Sequence, residues 1–376
     1  MADSFVYGRA VSEDNFIGRE KETKLLEDNF NGGINTILIS PRRWGKTSLV
    51  NHVCRHIDKK DLLIVKLDIF GCKSEYEFYN LLASAVLQQT ASTRELWLDE
   101  ARDFLYRLSP KISISPDPNS EYSISLGITP KTHSYQQVLA LAENIALKKK
   151  KHIVICIDEF QQAGEWPDSK AIQGRLRSVW QLQEHVSYCL YGSKRHLMTN
   201  IFADRSMPFY QFGDIIWLQK IQKSEWIPYI TRQFAAAGRY VSDSTAGKIC
   251  DTVDCCSSYV QQLARYLLLQ TPKGGKAGSK EFQNAVEQLL ETNEMLFMQM
   301  VEPLSAYQMN FLRAVASGHH DGFNEQEIRN GFNLGSPSNI VRLKNALTEK
   351  DIIYVEMKKT YFSDPVFKIW FSKRFL

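Results

Sequence analysis

One junction restricts the fold of this chain more than any other: the apolar run Ile34–Ser40 leads into Pro41-Arg42-Arg43-Trp44-Gly45-Lys46-Thr47-Ser48. A short apolar run bounded by turn residues predicts a buried strand, and the stretch from Gly45 to about Asp58 reads as a helix. A strand that feeds a Gly-Lys-Thr loop into a helix N-terminus is a phosphate-binding arrangement. Backbone N–H groups and the positive end of the helix face the anion, a lysine reaches the terminal phosphates, and a hydroxyl reaches the accompanying metal. Lys46 is thus the expected partner of the β- and γ-phosphates, Thr47 a metal ligand, and Gly45 the residue that lets the backbone approach closely. Pro41, Arg42, Arg43, Trp44 and Ser48 complete the candidate nucleotide-contacting loop. Ser40 stands where such loops usually begin with glycine, and its small side chain can still follow the tight turn.

The surroundings of the loop alternate between helix and strand. Leu62–Phe70, His152–Phe160, Ser187–Ser193 and Ile215–Ile221 read as strands. Helices are expected over Ser74–Gln89, Thr93–Leu108, Tyr135–Leu147 and near Lys170–His185. This order predicts an α/β fold of the P-loop class, a parallel sheet with helices on both faces. Between Pro110 and Thr132, apolar and polar residues alternate on either side of Pro116-Asp117-Pro118-Asn119, which predicts an inserted hairpin. The lysine run Lys148–Lys151 reads as a solvated helix end.

Strand signals vanish from Ser224 to Gln299, where a helical domain is expected. Beyond Pro303, helices over Ala306–Ala316, Glu325–Phe332 and Pro337–Lys350 precede alternating stretches at Ile352–Glu356 and Thr360–Ser363. That is the layout of a winged helix. The expected domains are therefore 1–222 with an insertion near 110–132, a helical lid at 223–302, and a winged helix at 303–376.

A second set of chemical groups closes the strand His152–Phe160. Asp158 and Glu159 follow its apolar core, so the first carboxylate is placed to support Mg²⁺ and the second to act as general base on an attacking water. At the end of the next strand, Ser193 and Arg195 are candidates to sense the γ-phosphate, Arg195 through a bidentate contact. Parallel neighbours end on the same edge of a sheet, where ligands of such folds bind.

These segments together resemble the archaeal-type ATPases of the AAA+/STAND branch of P-loop proteins. The matching pieces are Phe16-Ile17-Gly18-Arg19-Glu20, Pro41–Leu49, Ile157-Asp158-Glu159-Phe160-Gln161, Gly192–Met198, Met207–Tyr210 and Ser258–Leu263. The resemblance covers nearly the whole chain. It implies ATP and ADP as ligands, Mg²⁺ as cofactor, and Phe16 and Ile17 as contacts to the adenine base. The chain departs from such relatives at Ser40 and at Cys255-Cys256-Ser257, before the lid tyrosine, and no nucleotide contact is assigned to the lid.

The function these readings predict is ATP hydrolysis driving a switch between the P-loop, lid and winged helix domains. The alternative is a DNA-binding regulator in which nucleotide only controls the winged helix. Arg342, Lys344, Lys358 and Lys359 are the candidate phosphate contacts of that alternative. Glu349, Asp351 and Glu356 mix their charge with the basic residues, and such domains also contact proteins. A protein partner, and an oligomer formed on nucleotide binding, are further expectations.

Composition removes other classes. The chain has 376 residues, 44% hydrophobic and 23% charged, which is the mix of an ordinary globular protein with room for several domains. No apolar run reaches the roughly 18–20 residues that cross a bilayer, and no signal-peptide pattern opens the chain, so a cytoplasmic address without membrane contact is expected. Its seven scattered cysteines show no paired metal spacing and read as reduced thiols. A net charge of +4 is too small to argue for nucleic acid by itself.

Overall fold

A computed structural model describes residues 5–11, 15–91, 115–116, 124–125 and 135–376. The chain divides into two units. A sheet unit takes Glu20–Arg42 and Lys46–Leu218; a helical unit takes Arg43–Gly45, Gln219–Leu376 and the described part of Met1–Arg19. The phosphate-loop sequence thus changes unit at Arg43 and returns at Lys46.

The sheet unit runs α1 (Glu20–Asn31), β1 (Thr36–Ile39), α2 (Lys46–His56), β2 (Leu62–Asp68) and α3 (Glu75–Thr90). The short strands β3 (Ser115–Pro116) and β4 (Ile124–Ser125) follow, then α4 (Tyr135–Leu139), α5 (Leu141–Lys149) and β5 (His152–Asp158). A 3-10 turn at Phe160–Gly164 precedes α6 (Ser169–Trp180), β6 (Val186–Gly192), α7 (Arg195–Ala203) and β7 (Asp214–Trp217). The five long strands form one parallel sheet in the order β2-β5-β6-β1-β7. Helices flank it, which makes the fold α/β as the alternation predicts.

Burial explains the continuous apolar strands. All of β6 and the interior of β5 are shielded from water, because a parallel sheet with crossover helices is covered on both faces. In α6, Ile172, Leu176 and Trp180 recur every fourth residue and are all buried. Trp180 stacks on Tyr188 at 4.0 Å between ring centroids, with Phe160, Phe209 and Phe212 around it.

Two expectations are refined here. The helix expected over Tyr135–Leu147 is divided at Ala140, with buried residues on either side of the division. Lys150 then closes α5 in a left-handed conformation (φ 52°), its N–H donating to Ala146 and Leu147, while Lys149 Nζ donates to the Thr90 carbonyl at 2.8 Å. Ser115 and Pro116 pair antiparallel with Ser125 and Ile124. The rest of the expected hairpin, and the helix expected over Thr93–Leu108, lie outside the described residues.

The helical unit contains α8 (Lys223–Ala236), α9 (Asp243–Thr252), α10 (Ser257–Gln270) and α11 (Ser279–Val301). It continues with α12 (Ala306–Ala316), α13 (Gln326–Gly331), α14 (Pro337–Glu349), β8 (Ile353–Glu356), β9 (Lys359–Phe362) and α15 (Pro365–Phe375). β8 and β9 pair antiparallel around Met357 and Lys358, both at positive φ (47° and 69°), the twist that suits a tight hairpin. The last helix, α15, adds to the expected winged helix layout. Asp364 caps it, its Oδ1 accepting from the N–H groups of Val366 (2.9 Å) and Phe367 (3.0 Å), and Pro365 occupies the first turn. One apolar core runs through this unit, and Phe297 of α11 packs against Phe367 and Trp370 of α15. Among the described residues no helix is long and apolar enough to cross a membrane.

Candidate functional site

In the sheet unit, the chemistry gathers at the carboxyl ends of three neighbouring strands. Ile39, the last residue of β1, lies beside Gly192 of β6, and Leu190 of β6 lies beside Ile157 of β5. The loop follows β1, Asp158 and Glu159 close β5, and Ser193 follows β6. Because β6 runs between the other two, Ser193 sits between the loop and the acid pair. Its hydroxyl accepts from Arg42 Nε at 3.4 Å and donates to Glu159 Oε2 at 2.9 Å.

Lys46 is the most constrained group of this edge. It is buried, and its ammonium donates to Ser40 O (3.1 Å), Ser40 Oγ (3.4 Å) and Pro41 O (3.2 Å). Burial brings its pKa down to about 8; Glu159 and Asp158 pull it back up, and Arg42 pushes it further down. Thr47, the next residue, is exposed, and its hydroxyl donates to Asp158 Oδ2 at 2.9 Å. Asp158 Oδ1 accepts from the Glu159 N–H at 2.8 Å. Burial raises the Asp158 carboxyl to about 6 against these two hydrogen bonds, and the charges of Glu159 and Asp68 add to the rise. Asp68 is the register partner of Asp158 on β2.

Glu159 leaves the strand in a left-handed conformation (φ 55°), so the chain turns at once into the 3-10 turn. There Gln161 is buried, and its Nε2 donates to Glu159 Oε2. Ser48 is buried in the first turn of α2, and Pro41 is half-buried. Arg195, at the start of α7, holds its guanidinium over the Trp217 ring, 5.6 Å from the centroid. The edge therefore brings together Arg42, Lys46, Thr47, Asp158, Glu159 and Ser193.

The remaining candidates belong to the helical unit. Phe16 and Ile17 are half-buried, and Ile17 and Trp44 pack against its apolar core. The Trp44 carbonyl accepts from the buried Arg19 at 3.0 Å, and Lys220 Nζ lies 5.4 Å over its ring. Gly45 adopts φ 93°, a conformation that side-chain-bearing residues rarely take. Arg43, at φ 66°, is held from several directions. Its Nη1 donates to Asp364 Oδ2 at 2.6 Å and to the Tyr259 hydroxyl, and its guanidinium lies 4.7 Å over the Tyr259 ring. The Tyr259 hydroxyl donates to the same Asp364 oxygen at 2.6 Å, and the Arg43 carbonyl accepts from the Ser258 N–H at 3.2 Å. Burial opposes the Arg43 charge, but Tyr259 and Asp364 outweigh it and raise the pKa.

Gln161, Tyr259 and Asp364 are not singled out by sequence reasoning. An Asp-Pro pair before an aromatic run is the local signal that marks the last; Gln161 stands beside a second amide, Gln162, and carries no local mark of its own. Nothing local marks Tyr259 as a partner of Arg43.

A family model described as "Probable winged helix domain" matches residues 295–373. Comparison with the curated proteins finds no match. Among solved structures, the Walker-type ATPase of Pyrococcus abyssi is similar with a TM-score of 0.70 at 18% identity, covering 98% of this chain and 99% of that chain. The ORC2 protein of Aeropyrum pernix in its ADPNP–ADP complexes has a TM-score of 0.59 at 14% identity, with 98% of each chain covered. Its ADP form gives 0.55 at 13% identity, covering 96% of this chain and 93% of that chain. At such identities the likeness is one of fold. This chain shares the fold of archaeal Walker-type ATPases along nearly its whole length and carries a winged helix domain at its C-terminal end.

Proposed function

We propose that this chain binds ATP with Mg²⁺ at the edge formed by its phosphate loop, Asp158, Glu159 and Ser193, and hydrolyses it to ADP and phosphate. The observation that carries the reading is the hydrogen bond from Thr47 to Asp158 (2.9 Å) beside a buried Lys46 ammonium. A fold of this kind holds ADPNP and ADP in the Aeropyrum pernix protein, which supports extending nucleotide binding to this chain.

The side chains suit a small hard cation that draws most of its ligands from elsewhere. Among the described residues no group of three or more His, Cys, Asp or Glu side chains could hold a metal. Thr47 and Asp158 offer a hydroxyl and a carboxylate, and Mg²⁺ is commonly bound through one or two protein oxygens together with phosphates and water. When bound it would supply charge neutralisation at the β- and γ-oxygens.

The chain's own residues do the rest. Lys46 and the N–H groups opening α2 bind the phosphates and stabilise the charge that develops on them. Glu159 takes the proton of the attacking water. Ser193, already hydrogen-bonded to Glu159 and Arg42, couples the loop to that base. Hydrolysis drives the proposed switch, in which the hold of Arg43 on Asp364, the cap of α15, is the contact we expect to change.

DNA contact through the winged helix is a second reading, favoured by Arg342, Lys358 and Lys359, all exposed. Lys344 fits it less well, since it is half-buried with its ammonium 4.7 Å over the Phe323 ring.

Lys46→Ala is expected to weaken ATP binding about ten- to a hundred-fold, from the ~1.5–3 kcal/mol of a hydrogen bond to a charged group. Equilibrium binding at unchanged affinity would remove the phosphate assignment. Glu159→Gln is expected to bind ATP normally yet hydrolyse it roughly 10²- to 10⁴-fold more slowly, and a wild-type rate would remove the base. With metal chelated, affinity for free nucleotide should fall as pH rises through about 8, where Lys46 gives up its proton in the free protein and binding must restore it. Calorimetric affinities level across that interval would contradict this. For the DNA reading, duplex affinity should fall with salt and drop further in Arg342→Ala with Lys358→Ala; absence of binding at low salt would discard it.

A further inference from the structure

Gln161 is almost fully buried, at 1% exposure, yet its amide is only half satisfied. Nε2 donates to Glu159 Oε2, while Oε1 is buried without a hydrogen-bond partner among the described residues. The reverse orientation would set the amide oxygen against a carboxylate oxygen, so the contact with Glu159 dictates which way the amide points. The space it occupies is kept open by Gly192: a Cβ there would fall 2.0 Å from Gln161 Oε1. A buried polar side chain with one unpaired end is poor packing material. Residues that break the rule of buried-polar satisfaction mark places where function outweighs stability.

We infer that Gln161 is a positioning residue for Glu159. The inference rests on the proposed ATPase reading, in which Glu159 is the base. Gln161 Nε2 and Ser193 Oγ both donate to Oε2 of that carboxylate, which fixes its plane and leaves Oε1 to accept the proton of water. The left-handed backbone of Glu159 brings this about (φ 55°). It turns the chain so sharply that the residue two positions on reaches back to the carboxylate from inside the 3-10 turn. Ser193 belongs to the end of β6 and Gln161 to the turn after β5, so the carboxylate is held from two separate elements. A side chain so held loses little freedom when the reaction begins, and a base misplaced by about 1 Å forfeits much of its effect.

The test is a double-mutant cycle on the full chain, with Gln161→Met as the apolar replacement of similar length. Binding of ATP and single-turnover hydrolysis are measured in the wild-type and Glu159→Gln backgrounds. With Glu159 present, Gln161→Met should lower the hydrolysis rate about ten- to a hundred-fold, the scale of one hydrogen bond to a charged group, at unchanged ATP affinity. With Glu159→Gln present, the same substitution should add no further loss. Gln161→Glu keeps the shape of the side chain and, when ionised, removes the donor. It should show the same selective loss of rate, and it decides the matter if the Met variant does not fold. An equal loss in both backgrounds, a loss of affinity with the rate unchanged, or a wild-type rate in the folded variant would overturn the inference. Absence of hydrolysis by the wild-type protein, or a wild-type rate in Glu159→Gln alone, would instead remove the ATPase reading and the inference with it.

Discussion

A lysine nitrogen taken out of water must be surrounded by oxygen, and the edge of the sheet unit is arranged around that demand. Lys46 satisfies its ammonium on Ser40 and Pro41, the residues that open its own loop, while the carboxylates of Asp158 and Glu159 favour its charge. The carboxylates stand there because of strand order. With β6 between β1 and β5, the loop and the acid pair are one strand apart, and Ser193 at the end of β6 fills the interval. A buried cationic group and two acids on the same edge follow from one parallel sheet ending there.

Much of this edge is legible in the sequence because its signals are local. A strand, a Gly-Lys-Thr loop and a helix are contiguous, and Asp158-Glu159 end an apolar run, so Lys46, Thr47 and both acids can be named without a structure. Ser193 is legible as a strand end, but the hydrogen bond from Arg42 is not, since it depends on which strand lies next to which. Gln161 was hidden for another reason: only the left-handed turn at Glu159 brings its amide back onto the carboxylate. Strand limits are less legible: β1, expected over Ile34–Ser40, is Thr36–Ile39, and β7, expected over Ile215–Ile221, is Asp214–Trp217, four residues shorter at its end. The same apolar residues serve strand and flank alike.

The helical unit shows what local patterns miss. After two strands of a wing, the aromatic run from Val366 to Phe375 carries no clear helical stripe. The helix there is announced only by Asp364 and Pro365 as cap and first turn. That cap does a second thing, since its other carboxylate oxygen accepts from Arg43 and from Tyr259. Three residues far apart in sequence thereby share one charge balance. The arginine comes from the loop whose sequence first restricted the fold.

The central proposal is that nucleotide is held at this edge and that hydrolysis changes the hold of Arg43 on Asp364. Hydrogen–deuterium exchange with and without ATP and Mg²⁺ tests both parts at once. The account predicts slower exchange at the loop around Lys46 and Thr47 and at Asp158–Glu159, together with altered exchange at Val366 and Phe367, whose N–H groups rest on Asp364. Unchanged exchange at the loop and the acid pair, under ATP concentrations that saturate an ordinary ATPase, would contradict it.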